Sequence, residues 1–176
     1  MVWFGMPGPQ LLPGVSGRGQ GMDISVPAAL RALSTGGAAA NSLASWWKKS
    51  KGDARALVGE LKDNLSYLDM VADDEIDLGE VIEKISVAEF KRLSREGFNF
   101  NKLKKSRISE YTSLAGTDMA AWCGKETEQL IESIYEKTSD LIIRYPHVKD
   151  NKKYRWKVRV NNIRKRIWLL LKHINS

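Results

Sequence analysis

The sequence is short of the residues from which small scaffolds and metal sites are built. It has one cysteine, Cys123, and two histidines, His147 and His173, in 176 residues. A disulfide framework needs cysteine pairs, and a zinc site needs about four ligands, so one chain builds neither from His and Cys alone. No apolar run is longer than that from Ile167 to Leu171, far below the roughly 20 residues of a membrane-spanning helix. Sustained alternation of apolar and polar residues is missing beyond residue 22, which argues against half-buried strands. Two glycine or acidic stretches also lack what their chemistry requires. Gly17-Arg18-Gly19-Gln20-Gly21 has no preceding strand and no following Gly-Lys-Ser/Thr, so it is not a phosphate loop. Read as a calcium loop, Asp73-Asp74-Glu75-Ile76-Asp77 places Leu78 where glycine is needed and Lys84 where the bidentate glutamate belongs. It is read instead as an acidic loop between helices.

Hydrophobic residues make up 43% of the chain and charged residues 28%, the balance of a folded domain and too apolar for wholesale disorder. Residues 1–22 hold six glycines and three prolines and read as a Gly/Pro-rich tail or extension. Residues 23–176 read as a single helical domain. Met22-Asp23-Ile24 resembles an ordinary protein start, so residues 1–21 are expected to be a translated upstream region or a flexible tail. The head of the chain has no early Lys or Arg, and Pro7, Pro9 and Pro13 interrupt its apolar residues. A secretory signal needs the opposite, and the expectation is a cytoplasmic protein without a membrane segment.

Helical spacing dominates the rest of the chain, and eight helices are predicted. The first covers Ala28 to Leu33 and the second about Ala38 to Lys51. The third begins at Asp53, with Leu57, Leu61, Leu65 and Leu68 on one stripe. The fourth covers about Leu78 to Ile85. Ser86-Val87-Ala88-Glu89 has capping-box form and opens the fifth, with Phe90 and Leu93 inward and Gly97 as its stop. The sixth runs from Lys102 to Leu114, the seventh from about Asp118 to Arg144 with Pro146 ending it, and the eighth from about Lys152 to Ile174. Cys123 falls on the apolar stripe of the seventh and reads as a buried core thiol. The fold class is therefore all-α: a bundle of about six to eight helices with a long C-terminal antiparallel helical hairpin.

The net charge of +7 is unevenly placed. Residues 53–96 carry six basic and twelve acidic side chains, whereas residues 144–176 carry eleven basic and one acidic. On the eighth helix the basic residues flank a seam of Trp156, Val160, Ile163, Ile167, Leu170 and Ile174, and the seventh offers Glu128, Glu132, Glu136 and Asp140 at steps of four. Such flanking charges select a partner helix. An antiparallel register pairing Asp140 with Arg155 and Glu136 with Arg159 satisfies the apolar and charged patterns together. Ile167-Trp168-Leu169-Leu170-Leu171 is apolar around the whole helix, so that end is expected to be central in the bundle or at a subunit interface.

Three function classes are compatible with these patterns. The leading one is a non-catalytic interaction module, protein-binding or self-associating, whose partner surface includes Trp46, Trp47, Trp168 and Leu169. The alternative is a nucleic-acid binder, because the basic helix carries Arg155, Lys157, Arg159, Arg164 and Lys165 with Tyr154 and Trp156 interleaved. Lys165 and Lys172 are expected to point fully away from the seam. The third rests on Arg166 and His173, seven residues apart on one helical face. This Arg-x6-His spacing is similar to the ribonuclease motif of the all-helical HEPN domains. The resemblance implies RNA cleavage by Arg166 and His173 paired across a dimer. Here Ile167 follows the arginine where that family usually has a polar residue. No cofactor, metal or small-molecule substrate is called for by any of the three.

Overall fold

The computed structural model describes residues 52–104 and 107–176. The tail, the first two predicted helices and Trp46 and Trp47 lie outside the described residues. Within them the chain is all helix and loop, with no strand. Four α-helices have eight residues or more: α1 (Asp53–Asp73), α3 (Ala88–Arg95), α4 (Thr127–Val148) and α5 (Trp156–Asn175), and a single turn, α2 (Leu78–Val81), lies between α1 and α3. No helix among the described residues is long and apolar enough to cross a membrane.

The predicted stripe of α1 is inward: Leu57, Leu61, Leu65 and Leu68 are all buried. Each contributes about 1.5–3 kcal/mol by leaving water. Helix α5 packs against α1 on one side and α4 on the other. That central position explains its all-round apolar end, since Ile167, Leu169, Leu170 and Leu171 are all covered within the chain. An apolar residue facing either neighbour is buried, so this helix needs no polar face along that stretch.

Helix α3 is positioned by α1 rather than by its own capping box. The Glu60 carboxylate of α1 accepts from the Ser86 hydroxyl (2.7 Å) and from the backbone N–H groups of Glu89 (2.9 Å) and Phe90 (3.4 Å). The two N–H groups are donors that a helix N-terminus leaves without intrahelical partners. One turn along α1, Asn64 exchanges two bonds with the Ser86 backbone, donating to its carbonyl (2.6 Å) and accepting from its N–H (2.8 Å). Arg92 ties the exposed side of α3 to Asp53 at the start of α1. The helix stops where predicted. Gly97 takes φ 70°, the Phe98 N–H reaches back to the Leu93 carbonyl at 2.9 Å, and the Gly97 N–H reaches Ser94 at 3.3 Å, the pattern of a Schellman cap.

The predicted sixth helix does not form. Between short 3-10 turns at Phe100–Leu103 and Thr112–Leu114 the described residues, 104 and 107–111, are not helical. The Ile108 N–H instead donates to the Lys125 carbonyl (2.8 Å), and its own carbonyl accepts from the Gly124 N–H (2.8 Å). Leu103, Ile108 and Leu114 are buried as the pattern required. Their spacing reflected inward positions on an irregular segment. The seventh helix begins nine residues later than predicted, at Thr127. Gly124 at φ 80° breaks any continuation, and Glu126 with Gln129 forms the capping box that starts α4. Cys123 is consequently not on a helix and is only half-buried.

Pro146 does not end α4, which continues through it to Val148. Proline forfeits one hydrogen bond there, and the helix tolerates the loss in its final turn. Arg155 adopts a left-handed conformation (φ 43°) ahead of α5, so that helix starts at Trp156 rather than Lys152. Both boundaries move toward the C-terminus, and the charge register shifts by one turn. Asp140 pairs with Arg159 (2.8 Å) rather than with Arg155, and it also holds Arg144. An exposed pair of this kind is worth about 0.2–1 kcal/mol. A double-mutant cycle of Asp140→Ala with Arg159→Ala should therefore show coupling of that size, while Glu136→Ala with Arg159→Ala should be additive. Chemical denaturation of the six proteins checks both.

Candidate interaction surface

The predicted phosphate-binding cations fall into two groups. Three are engaged by acidic side chains of the same chain. Arg164 is buried, with its Nε donating to Asp69 (2.6 Å), one terminal nitrogen paired with Asp73 and the other donating to Asn161 (3.0 Å). Expected on a flank of the seam as a cation available to phosphate, it points instead into the contact with α1, whose last two turns supply both carboxylates. Lys165, expected to point fully away, has a side chain only 12% exposed and sits on Asp118 at 3.1 Å. Arg159 is held by Asp140 and donates through Nε to the Tyr154 carbonyl (2.9 Å). Lys172, also expected to point away, is half-buried over the Tyr111 ring, 4.8 Å from its centre.

Arg155 and Lys157 make up the second group, and their neighbours Lys152 and Lys153 behave alike. Lys152, Lys153, Arg155 and Lys157 are exposed and have no ion pair among the described residues. They surround the start of α5, which has no side-chain cap and no acidic residue in its first turn. Cations at this end of a helix oppose its dipole, so the local arrangement is electrostatically unfavourable until an anion approaches. Tyr154 and Trp156 are interleaved with them but stack on each other (5.1 Å between ring centres), and the Trp156 Nε1–H donates to the Lys149 carbonyl.

Beside this edge a groove of about 770 Å³ runs between α4 and α5. Ile143 (65% exposed) and Val158 (50%) line it. Sequence reasoning missed both. The signal was present in the pair Ile142-Ile143, because neighbours on a helix diverge by about 100° and cannot both face one core. Arg166 also lines the groove. Burial, only partly offset by Asp118, holds its guanidinium below the ordinary arginine range. It donates to the Asn162 carbonyl (2.7 Å) and lies over Trp122, while its Nε finds no hydrogen-bond partner among the described residues.

Arg166 and His173 do not form a shared surface. His173 is 0% exposed and its Nε2 lies 3.0 Å from the Thr127 hydroxyl at the start of α4. An RNA phosphate has no route to that ring in this arrangement. Leu169, a predicted interface residue, is also fully buried inside the chain, and Trp168 is half-buried against the core. No group of three or more His, Cys, Asp or Glu is placed to hold a metal ion among the described residues.

Two carboxylates on these contacts titrate in opposite senses. Burial raises Asp69 above the ordinary 3.8 despite the hydrogen bond and charge of Arg164. For Asp140 burial also pushes upward, but Arg144 and Arg159 outweigh it and the carboxyl lies below 3.8. The stabilising contribution of Asp140 is thus present above 3.8 and lost as pH falls through its folded value. For Asp69 the fold favours the protonated form, and that preference is full below 3.8 and lost as pH rises through its folded value, where the ionised carboxylate still accepts from Arg164. Carboxyl-carbon NMR titration should place the two on opposite sides of 3.8.

No family model, curated protein or solved structure matches the chain.

Proposed function

We propose that this chain is a non-catalytic helical interaction module that binds an acidic protein partner where α4 turns into α5. The observation that carries this reading is the contrast among its cations. Arg159, Arg164 and Lys165 are neutralised inside the chain, whereas Lys152, Lys153, Arg155 and Lys157 are exposed without an ion pair among the described residues, next to exposed Ile143 and Val158. Charged rims around an apolar centre are a common plan for protein interfaces. In this reading α4 and α5 form an antiparallel hairpin within a bundle of six to eight helices spanning residues 23–176. Residues 1–22 are an extension to that domain, and the protein works in the cytoplasm. Trp46 and Trp47 belong to the partner surface, or to an interface between copies of the chain.

Co-purification from the native host tests the reading. A protein retained by the wild-type chain and lost from the Lys152→Glu/Lys153→Glu/Arg155→Glu/Lys157→Glu variant is the expected result. Identical retained proteins for both would contradict it.

A nucleic-acid-binding reading is favoured by one observation, the interleaving of Tyr154 and Trp156 with free cations. Its surface then reduces to Arg155, Lys157 and their lysine neighbours. Binding to generic RNA that falls steeply with salt would support it, and no binding at low salt would dismiss it.

A further inference from the structure

The groove between α4 and α5 combines three features that the charge of the chain does not explain. Its walls carry Ile143 and Val158, two of the most exposed large apolar residues among those described. Arg166 is a half-buried cation on the same surface, with no carboxylate in salt-bridge contact among the described residues. Lys153 and Arg155 extend the positive lining. Of the two acidic residues in the groove, Asp140 is already committed to Arg144 and Arg159.

We infer that this groove docks an amphipathic helix of a partner protein, with apolar side chains on Ile143 and Val158 and carboxylates on Lys153, Arg155 and Arg166. The inference rests on the protein-binding reading above and names the class of partner. Charge complementarity selects the acidic character. The two helices that wall the groove suit a third helix laid along them, where apolar anchors recur every three or four residues.

Two other occupants fit less well. Residues 1–51 of the same chain carry five basic side chains and one acidic, so they repel this lining. Nucleic acid would place charged phosphates beside two aliphatic walls, and the aromatic rings nearest the groove are stacked on each other rather than presented to bases. An enclosed cavity would suit a small amphiphile, but here both apolar walls stay largely open to solvent.

A synthetic peptide of about 18 residues, long enough to span about 27 Å as a helix, provides the probe. It carries leucine on one helical face and glutamate on the other, with a fluorescent label. Binding to the full chain is followed by anisotropy, alongside a scrambled peptide of the same composition and a single-stranded RNA of similar charge. The expected result is binding of the amphipathic peptide that weakens about tenfold or more, roughly the loss of one good contact, with the scrambled peptide and in Val158→Glu and Arg166→Gln. Val158 is half-exposed, so its substitution leaves the core intact, and circular dichroism verifies this. No binding, equal binding of the scrambled peptide, or wild-type affinity in Val158→Glu would overturn the inference. RNA that displaces the peptide and ignores Val158→Glu would overturn it in favour of nucleic acid. A dimer in sedimentation that Val158→Glu abolishes would overturn it in favour of a second copy. A host protein that depends on Lys152 and Lys157 but not on Val158 would leave the protein-binding reading standing while the groove inference falls.

Discussion

Replacing Asp69 and Asp73 together by alanine is expected to cost about 3 kcal/mol of folding stability, the lower end of what breaking a buried ion pair from one side costs. Arg164 is the reason. Its side chain is 5% exposed in the middle of α5, and both carboxylates come from the last two turns of α1. Without them a guanidinium remains in the helix contact with only Asn161 to satisfy one of its nitrogens. The lower end applies because Asp69 and Asp73 are partly wet, with side chains 36% and 62% exposed. Each single variant should cost much less than half, since the remaining carboxylate still compensates the charge. Adding Arg164→Met to the double variant should recover most of the loss, because an apolar side chain of similar length needs no counter-ion there. Urea denaturation followed by circular dichroism measures all four. An additive pair of single variants, or no recovery with Met, would show that Arg164 is solvated by some other route.

Glu60→Ala should be about as costly, near 3 kcal/mol. Three donors lose their acceptor at once: the Ser86 hydroxyl and the N–H groups of Glu89 and Phe90. Leaving one buried donor unsatisfied costs about 1–3 kcal/mol, and water reaching the opened site recovers part of the total. Glu60→Gln keeps one acceptor oxygen and should cost about 1 kcal/mol. The loss should be local in character as well. Amide exchange should quicken from Ser86 through Phe90 in Glu60→Ala, while the contact between α1 and α5 stays protected. Uniform acceleration across the chain would instead mean that Glu60 supports the whole core.

The sequence was informative where a single helix decides the outcome. The leucine stripe of α1 and the glycine stop of α3 could be read directly, because spacing and one positive φ suffice. It was less informative where two segments share a bond. Ser86 and Glu89 carried the pattern of a capping box, yet the Ser86 hydroxyl accepts from the Ala88 N–H, and the Glu89 and Phe90 N–H groups are capped by Glu60 on a different helix. The clue was a glutamate and an asparagine four residues apart beside the Leu57 and Leu61 stripe, where solvent is scarce. Ile108 looked helical because its neighbours Leu103 and Leu114 are inward, but its backbone is tied to Gly124 and Lys125. Periodicity reports which side chains face the core and not where the main-chain bonds go. Pro146 misplaced the turn into α5, and the expected charge register inherited that error as one helical turn.

The candidate surface was half legible. Lys157 is exposed without an ion pair among the described residues, and so is Arg155, which the expected register had paired with Asp140, whereas Arg164, Lys165 and Leu169 are taken up inside the chain. A helical wheel cannot make that distinction, because α5 is flanked by α1 as well as α4. The acidic partner for the middle of α5 comes mainly from α1, with Asp69 lying 95 residues before Arg164 in sequence. Among the described residues the unpaired positive charge of α5 is thus smaller than composition implies, and it lies at the start of that helix.

Covalent footprinting with amine- and guanidine-specific reagents, read by mass spectrometry on the full-length chain, tests this division of charge most directly. The account predicts rapid modification of Lys152, Lys153, Arg155 and Lys157, slow modification of Lys165, and modification of Arg164 only on unfolding. Arg164 and Lys165 reacting as fast as Arg155 and Lys157 would contradict it.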